Sequence, residues 1–135
     1  RSYDRSLILL APALSQLALA GVAGGLPVAA EIFADRAYTD TGHLVPRGQP
    51  GALLHTAGEC VAHVWRMLEA GAIVGTGGKQ IRTEFHSICV HGDGEQAVAT
   101  AGAIRSVLLA AGIRLLPLTE VVSPMADPAR GATMV

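Results

Sequence analysis

An imidazole and a carboxylate stand two residues apart at the end of an apolar run in ICVHGDGE, where His91 and Asp93 follow Ile88–Val90. A histidine whose ring is oriented by a carboxylate is the usual arrangement of a general acid/base. Asp is also a favoured N-cap residue, so Asp93 is suited to opening the helix that follows, and the two roles are compatible. Two more polar groups fall where apolar segments end: Glu31, Asp35 and Arg36 in EIFADR, and Arg47 after Pro46 in a long polar loop. A guanidinium fork matches carboxylates and phosphates. Each group also has an ordinary structural role open to it. Glu31 inside an apolar segment needs an ion pair, Asp35–Arg36 suits a surface turn, and Arg47 suits a solvated loop. Residue types alone support a small-molecule enzyme and nothing narrower.

Other chemistry is poorly supported. The segment GTGGKQ (75–80) invites comparison with a phosphate-binding P-loop, but that pattern needs a glycine at position 73, which is Ile73, and a hydroxyl after Lys79, where Gln80 stands. A turn accounts for it better. Cys89 has no cationic neighbour in sequence and reads as an inert thiol, Ser87 lacks a GxSxG elbow, and His43 sits beside Gly42 at a turn. The histidines 43, 55, 63, 86 and 91 and cysteines 60 and 89 show no metal-ligand spacing or disulfide framework. No metal site and no tightly bound cofactor are expected, and reduced thiols fit a cytoplasmic protein.

Elements that could position these residues alternate along the chain. Ser6–Ala11 reads as a buried strand, Pro12 suits the first turn of a helix with Leu14, Leu17, Ala18 and Gly21 on one face, and Gly24–Gly25 stops it. Pro27–Ala34 is a second strand. The run 7–34 is thus strand, helix, strand rather than a membrane span or signal peptide, since Pro12, Gln16, Gly24, Gly25, Pro27 and Glu31 interrupt it. The loop 35–52 is long enough to suggest function. Thr56 and Glu59 form a capping-box pattern before a helix with Val61, Val64, Trp65 and Leu68 on one face, ended by Gly71. Trp65 and Met67 read as packing residues.

Residues 73–85 read as a hairpin, His86–Val90 as a strand, and 95–111 as a helix with Ala97, Ala101, Ile104, Leu108 and Ala111 inward. Ile113–Leu118 reads as a last strand and 122–135 as a flexible tail beyond a domain of residues 1–121. Repeated β/α units favour an α/β barrel or a doubly wound sheet, whose ligands gather at the carboxyl ends of the strands.

With 135 residues, the chain is long enough for one core. Half its residues are hydrophobic yet only 4% are aromatic, and the mean hydropathy is +0.41. Such Ala-, Val- and Leu-rich composition suits strands covered on both faces. A net charge of −1 without a basic run gives no footprint for nucleic acid.

Three segments in fixed order, EIFADRAY (31–38), LVPRGQPGA (44–52) and SICVHGD (87–93), resemble the LamB/YcsF family over about residues 6–118. The resemblance implies parallel β/α units of a barrel of the glycoside hydrolase/deacetylase type. It implies ATP-dependent 5-oxoprolinase chemistry, the opening of 5-oxo-L-proline to L-glutamate with ATP (and magnesium) as co-substrate, beside partner subunits B and C. The motifs place the family's site on Glu31, Asp35, Arg36, Arg47, His91 and Asp93. Gly48 and Gly94 stand where the family commonly has Ser and Thr, and the Gly48 change is expected to loosen the loop or remove a hydroxyl contact.

The family's GFHAGD, HPS and KPHGALY motifs are absent, so the resemblance covers only its carboxyl-terminal half. The chain begins with Arg1 rather than Met, as a piece of a longer protein would. Half a barrel is expected to pair with the other half or with another copy. Two further readings stay open: a metal-assisted amide hydrolase or deacetylase with His91 and Asp93 as ligands, and a non-catalytic assembly element.

Overall fold

The computed structural model describes Asp4 and residues 6–122. The expected β–α–β opening is present: β1 (Leu9–Pro12), α1 (Gln16–Ala23) and β2 (Val28–Phe33), followed by α2 (Ala57–Ala70), β3 (Ala72–Val74), β4 (Gln80–Arg82), β5 (Ser87–Cys89), α3 (Ala97–Ala110) and α4 (Leu118–Val121). The fold is mixed α/β with a parallel sheet of order β1-β2-β5.

Pro12 corrects one expectation. It ends β1 rather than starting a helix, a place open to it because β1 is an edge strand that does not need its amide on the outer side. The turn runs through Leu14 at φ +64°, and Ser15 caps α1 by accepting the Ala18 N–H at 3.1 Å. Gly21 lets α1 lie against the sheet, since a Cβ there would stand 2.9 Å from a methyl of Val28. Outside this contact α1 leaves Leu17, Leu19 and Val22 exposed.

Both strands flanking β2 run parallel to it, with Glu31 opposite Ser87 and Phe33 opposite Cys89. Strand side chains alternate. Ile32 and Ala34 therefore turn to the helices, packing in clusters with Met67 and with Cys60, Val64, Ile104 and Leu108. Glu31, Phe33 and Asp35 share the other parity, as do Ser87, Cys89 and His91.

The capping box of α2 forms as read: Thr56 Oγ1 accepts from the Glu59 N–H at 3.2 Å, and Glu59 Oε2 accepts from the Thr56 N–H at 2.9 Å. Replacing Thr56 by alanine removes that acceptor and is expected to destabilise the protein by about 1 kcal/mol in urea unfolding. Gly71 closes the helix in the left-handed region at φ +55°. The buried stripe of α2 is Cys60, His63, Val64 and Met67, rotated from the expected face so that Val61, Trp65 and Leu68 are only half-buried. Trp65 and Met67 do pack: Met67 is fully buried, and Trp65 lies between α2 and α3.

The hairpin β3–β4 is antiparallel, and its GTGGK turn is held by the loop rather than by a phosphate. Asp40 accepts the Gly77 N–H at 2.9 Å, and a Cβ at Gly75 would lie 2.8 Å from both Asp40 Cα and the Thr39 carbonyl.

On α3 the inward stripe is Thr100, Ile104 and Leu108, while Ala101 and Ala111 are exposed and Ala97 is half-buried. The expected strand at 113–118 does not form. After Gly112 at φ +78°, the Ile113 amide bonds back to the Leu108 carbonyl at 2.9 Å, and Ile113 tucks under α3. Leu115 and Leu116 are exposed, and Pro117 leads into α4. The apolar run finds no strand to pair with among the described residues, and its proline lacks a ladder donor. The expected flexible tail lies outside the described residues apart from its first residue, Val122. No helix among the described residues is long and apolar enough to cross a membrane.

Candidate functional site

At the carboxyl ends of β2 and β5 lies a cavity of about 410 Å³, lined by Asp35, Arg47, His55, His91 and Asp93 among others. The parallel register explains its central pair. Glu31 opposes Ser87, Phe33 opposes Cys89, and the Ala34 amide bonds to the Cys89 carbonyl at 2.9 Å. Two residues further on, the same parity brings Asp35 to His91.

His91 Nδ1 lies 2.8 Å from each Asp35 carboxylate oxygen, and its ring stacks on Phe33 with centroids 5.5 Å apart at 19°. A carboxylate at this nitrogen accepts Nδ1–H, which leaves Nε2 as the nitrogen able to exchange a proton with a ligand. Both side chains are partly open, at 25% for His91 and 21% for Asp35. The pair is therefore fixed on one side by packing and wetted on the other, as a proton-transfer group must be.

This corrects the expectation for Asp93. It is exposed on the loop, makes no hydrogen bond to His91 and does not cap the next helix, whose N-cap is Gln96 with no side-chain cap bond. Nearness in sequence placed Asp93 beside the ring, but the strand's alternation and register give that position to Asp35. Asp93 remains at the cavity wall, where it can meet a ligand.

The remaining expected residues divide. Arg47 is exposed and lines the cavity. Arg36 does not line it. Its guanidinium is buried and donates from Nη2 to the Val45 carbonyl at 2.8 Å, while its Nε has no partner among the described residues. Glu31 is half-buried on the β2 side that also carries Asp35. Burial pushes its carboxyl above the ordinary carboxylate value, and the nearby His91 pulls it partly back. A Cβ at Gly48 or at Gly94 meets nothing within 4 Å among the described residues, so their packing demands neither glycine.

Several groups at or near the site carried no sequence signal. His55 precedes the capping box and lines the cavity, and Thr100 does so from the buried stripe of α3. Tyr38 is buried and its hydroxyl accepts the Phe33 N–H at 2.8 Å. Burial pushes its pKa up to about 12, so it serves as a neutral clamp on the strand that carries Asp35. Both cysteines are free, with thiols pushed up by burial and then by nearby carboxylates. That fits the inert reading of Cys89.

His63 stacks on Tyr38 at 6.0 Å and is buried, which pushes its pKa below the ordinary 6.5. A folded-state value below the unfolded one means that the folded state binds fewer protons between the two. The neutral ring therefore supports the fold fully above about pH 6.5, and this contribution is lost as pH falls through the window below it. Melting temperature is expected to drop from pH 7 to pH 5, and His63→Gln is expected to remove part of that drop.

Residues 1–123 match the LamB/YcsF family. The chain is 55% identical over 120 residues to a protein of Azoarcus sp. (strain BH72) whose name makes it the A component of a 5-oxoprolinase, covering 89% of this chain and 47% of that protein. It is 46% identical over 117 residues to the protein of the same name from Azorhizobium caulinodans, covering 87% and 46%. The crystal structure of the lactam utilization protein from Thermus thermophilus superposes with a TM-score of 0.74 at 28% identity, covering 83% of this chain and 44% of that one. The chain thus spans about half the length of the curated relatives it matches.

Proposed function

The chain belongs to the LamB/YcsF family, and from that premise we propose that it is the carboxyl-terminal half of a 5-oxoprolinase component that opens 5-oxo-L-proline to L-glutamate with ATP hydrolysis. The observation that carries the reading is the Asp35–His91 pair, held at 2.8 Å at the carboxyl ends of two parallel strands and facing a cavity. The names of the relatives supply the substrate class.

A lactam resists water because amide resonance protects its carbonyl. Transfer of the γ-phosphoryl group to the lactam oxygen releases ADP and leaves an imidate-like carbon. Water adds there, one proton leaves the water, and the ring nitrogen takes a proton as the C–N bond breaks. The acyl phosphate left by ring opening is then hydrolysed by a second water, which releases phosphate and gives glutamate. His91 Nε2 is the group that moves these protons, and Asp35 steadies the imidazolium formed on the way. Arg47 receives the substrate carboxylate or the transferred phosphoryl group. Glu31, its carboxyl raised by burial, is a second acid on the same side of β2.

No phosphate cradle forms at the GTGGK turn, because Asp40 occupies its Gly77 amide. ATP is accordingly handled by the other half or by subunits B and C. The surface favours such a partner half. β1 and β5 leave both sheet edges unpaired among the described residues, with Leu10 exposed on β1 and Leu17, Leu19 and Val22 on α1. At the opposite flank Val98, Leu109, Leu115 and Val121 are exposed, whereas α2 between the flanks exposes no large apolar side chain. That distribution suits β/α units continued on both sides into a barrel.

The deciding experiment reconstitutes this chain with its amino-terminal half and subunits B and C and measures glutamate and ADP formed from 5-oxoproline. Stoichiometric, ATP-dependent glutamate supports the reading. Lactam opening without ATP that a chelator abolishes would replace it with a metal-assisted hydrolase.

A further inference from the structure

Arg36 is a buried cation that pairs with no carboxylate among the described residues. Among the described residues its side chain makes one hydrogen bond, from Nη2 to the Val45 carbonyl, and its buried Nε makes none. Burying a charge with so little compensation is unfavourable, and an apolar side chain of similar length would avoid it. The local fold suggests what the guanidinium does.

Val45 is gripped twice. Its amide donates to the Ala37 carbonyl at 2.9 Å, and its carbonyl receives Arg36 at 2.8 Å. The returning leg of the loop is fastened to the same segment by Ala37 N–H to the Ala52 carbonyl and by Leu54 N–H to the Asp35 carbonyl, both at 3.0 Å. Ala37, Val45 and Ala52 close a small apolar cluster between the legs. Arg47 stands two residues beyond Val45, within a turn closed by Gln49 N–H to the Pro46 carbonyl at 2.9 Å. The turn itself is solvent-exposed from Pro46 to Gly51, so its anchoring comes from the legs.

We propose that Arg36 is a positioning residue: by holding the Val45 carbonyl it sets the leg of the loop that carries Arg47 into the cavity, and it does not touch the substrate itself. The proposal rests on the reading of Arg47 as the cation that receives the anionic part of the substrate.

The test uses the reconstituted complete protein with Arg36→Met, Arg36→Lys, Arg47→Ala and the double variant Arg36→Met/Arg47→Ala. It reads kcat and KM for 5-oxoproline together with backbone hydrogen exchange across residues 39–53. A positioning role raises KM by roughly an order of magnitude in Arg36→Met, close to the effect of Arg47→Ala, and the double variant is no worse than Arg47→Ala alone. Exchange at 45–53 speeds up in Arg36→Met, and Arg36→Lys, which keeps a donor, recovers part of the KM.

A fall in kcat with KM unchanged, losses that multiply in the double variant, or unaltered exchange at 45–53 would each overturn the proposal. If Arg36→Met does not fold, Arg36→Lys carries the same comparison at smaller amplitude. If the wild-type assembly makes no glutamate, the functional reading fails by itself. The clamp is then judged on exchange alone, supported by faster exchange and overturned by none.

Discussion

Replacing His91 by alanine in the reconstituted complete protein is expected to lower ATP-dependent glutamate formation by about 10²- to 10⁴-fold, the range that a positioned proton-transfer group contributes. The expectation follows from how the ring is held. Nδ1 is engaged by both oxygens of Asp35 at 2.8 Å and the face lies on Phe33, so only Nε2 is left for a ligand. If the ring moves protons in the chemical step, the loss falls mainly on kcat, and the pH–rate profile loses the limb that reports the base. Losing the Phe33 stack also weakens packing by about 0.5–1.5 kcal/mol. A melting curve beside the kinetics separates the two effects, since a folded variant with unchanged KM and reduced kcat has lost chemistry. Turnover that survives in His91→Ala would leave this chain as an assembly element.

How much of this was legible in the residues depends on which interactions are local. The capping box at Thr56–Glu59 and the Gly71 stop were readable because each is set within a few residues, and the β–α–β opening because its apolar runs are punctuated by Gly24, Gly25 and Pro27. Ile113–Leu118 misled because an apolar run shows what must be hidden and not which partner hides it. Arg36 misled in a similar way. Its type suits an anion, but its hydrogen-bond partner is a carbonyl nine residues on, which nothing in the local pattern marks. Of the residues the family resemblance pointed to, Asp35, Arg47, His91 and Asp93 line one cavity while Arg36 and Glu31 do not, and the pairing of Asp35 with His91 waited on the register of β2 and β5.

That register yields the second large effect. Asp35→Asn is expected to approach the loss of His91→Ala, whereas Asp93→Asn keeps most of the turnover. The two carboxylates differ in what they touch: Asp35 lies 56 residues from His91 in sequence and 2.8 Å away in space, while Asp93 is two residues away and makes no bond to the ring. An asparagine at 35 keeps the size of the side chain but offers the ring an N–H as readily as an oxygen. A ring that accepts at Nδ1 carries its proton on Nε2, where it can no longer take one from water. It also loses the negative charge that steadies the imidazolium. The predicted signature is therefore a fall in kcat with KM nearly unchanged, accompanied by a displaced pH–rate profile. Asp93, exposed at the cavity wall, is expected to act on KM if it acts at all. Kinetics of the two variants side by side decide the assignment, because equal losses, or a larger one for Asp93→Asn, would return the orienting role to the neighbour in sequence.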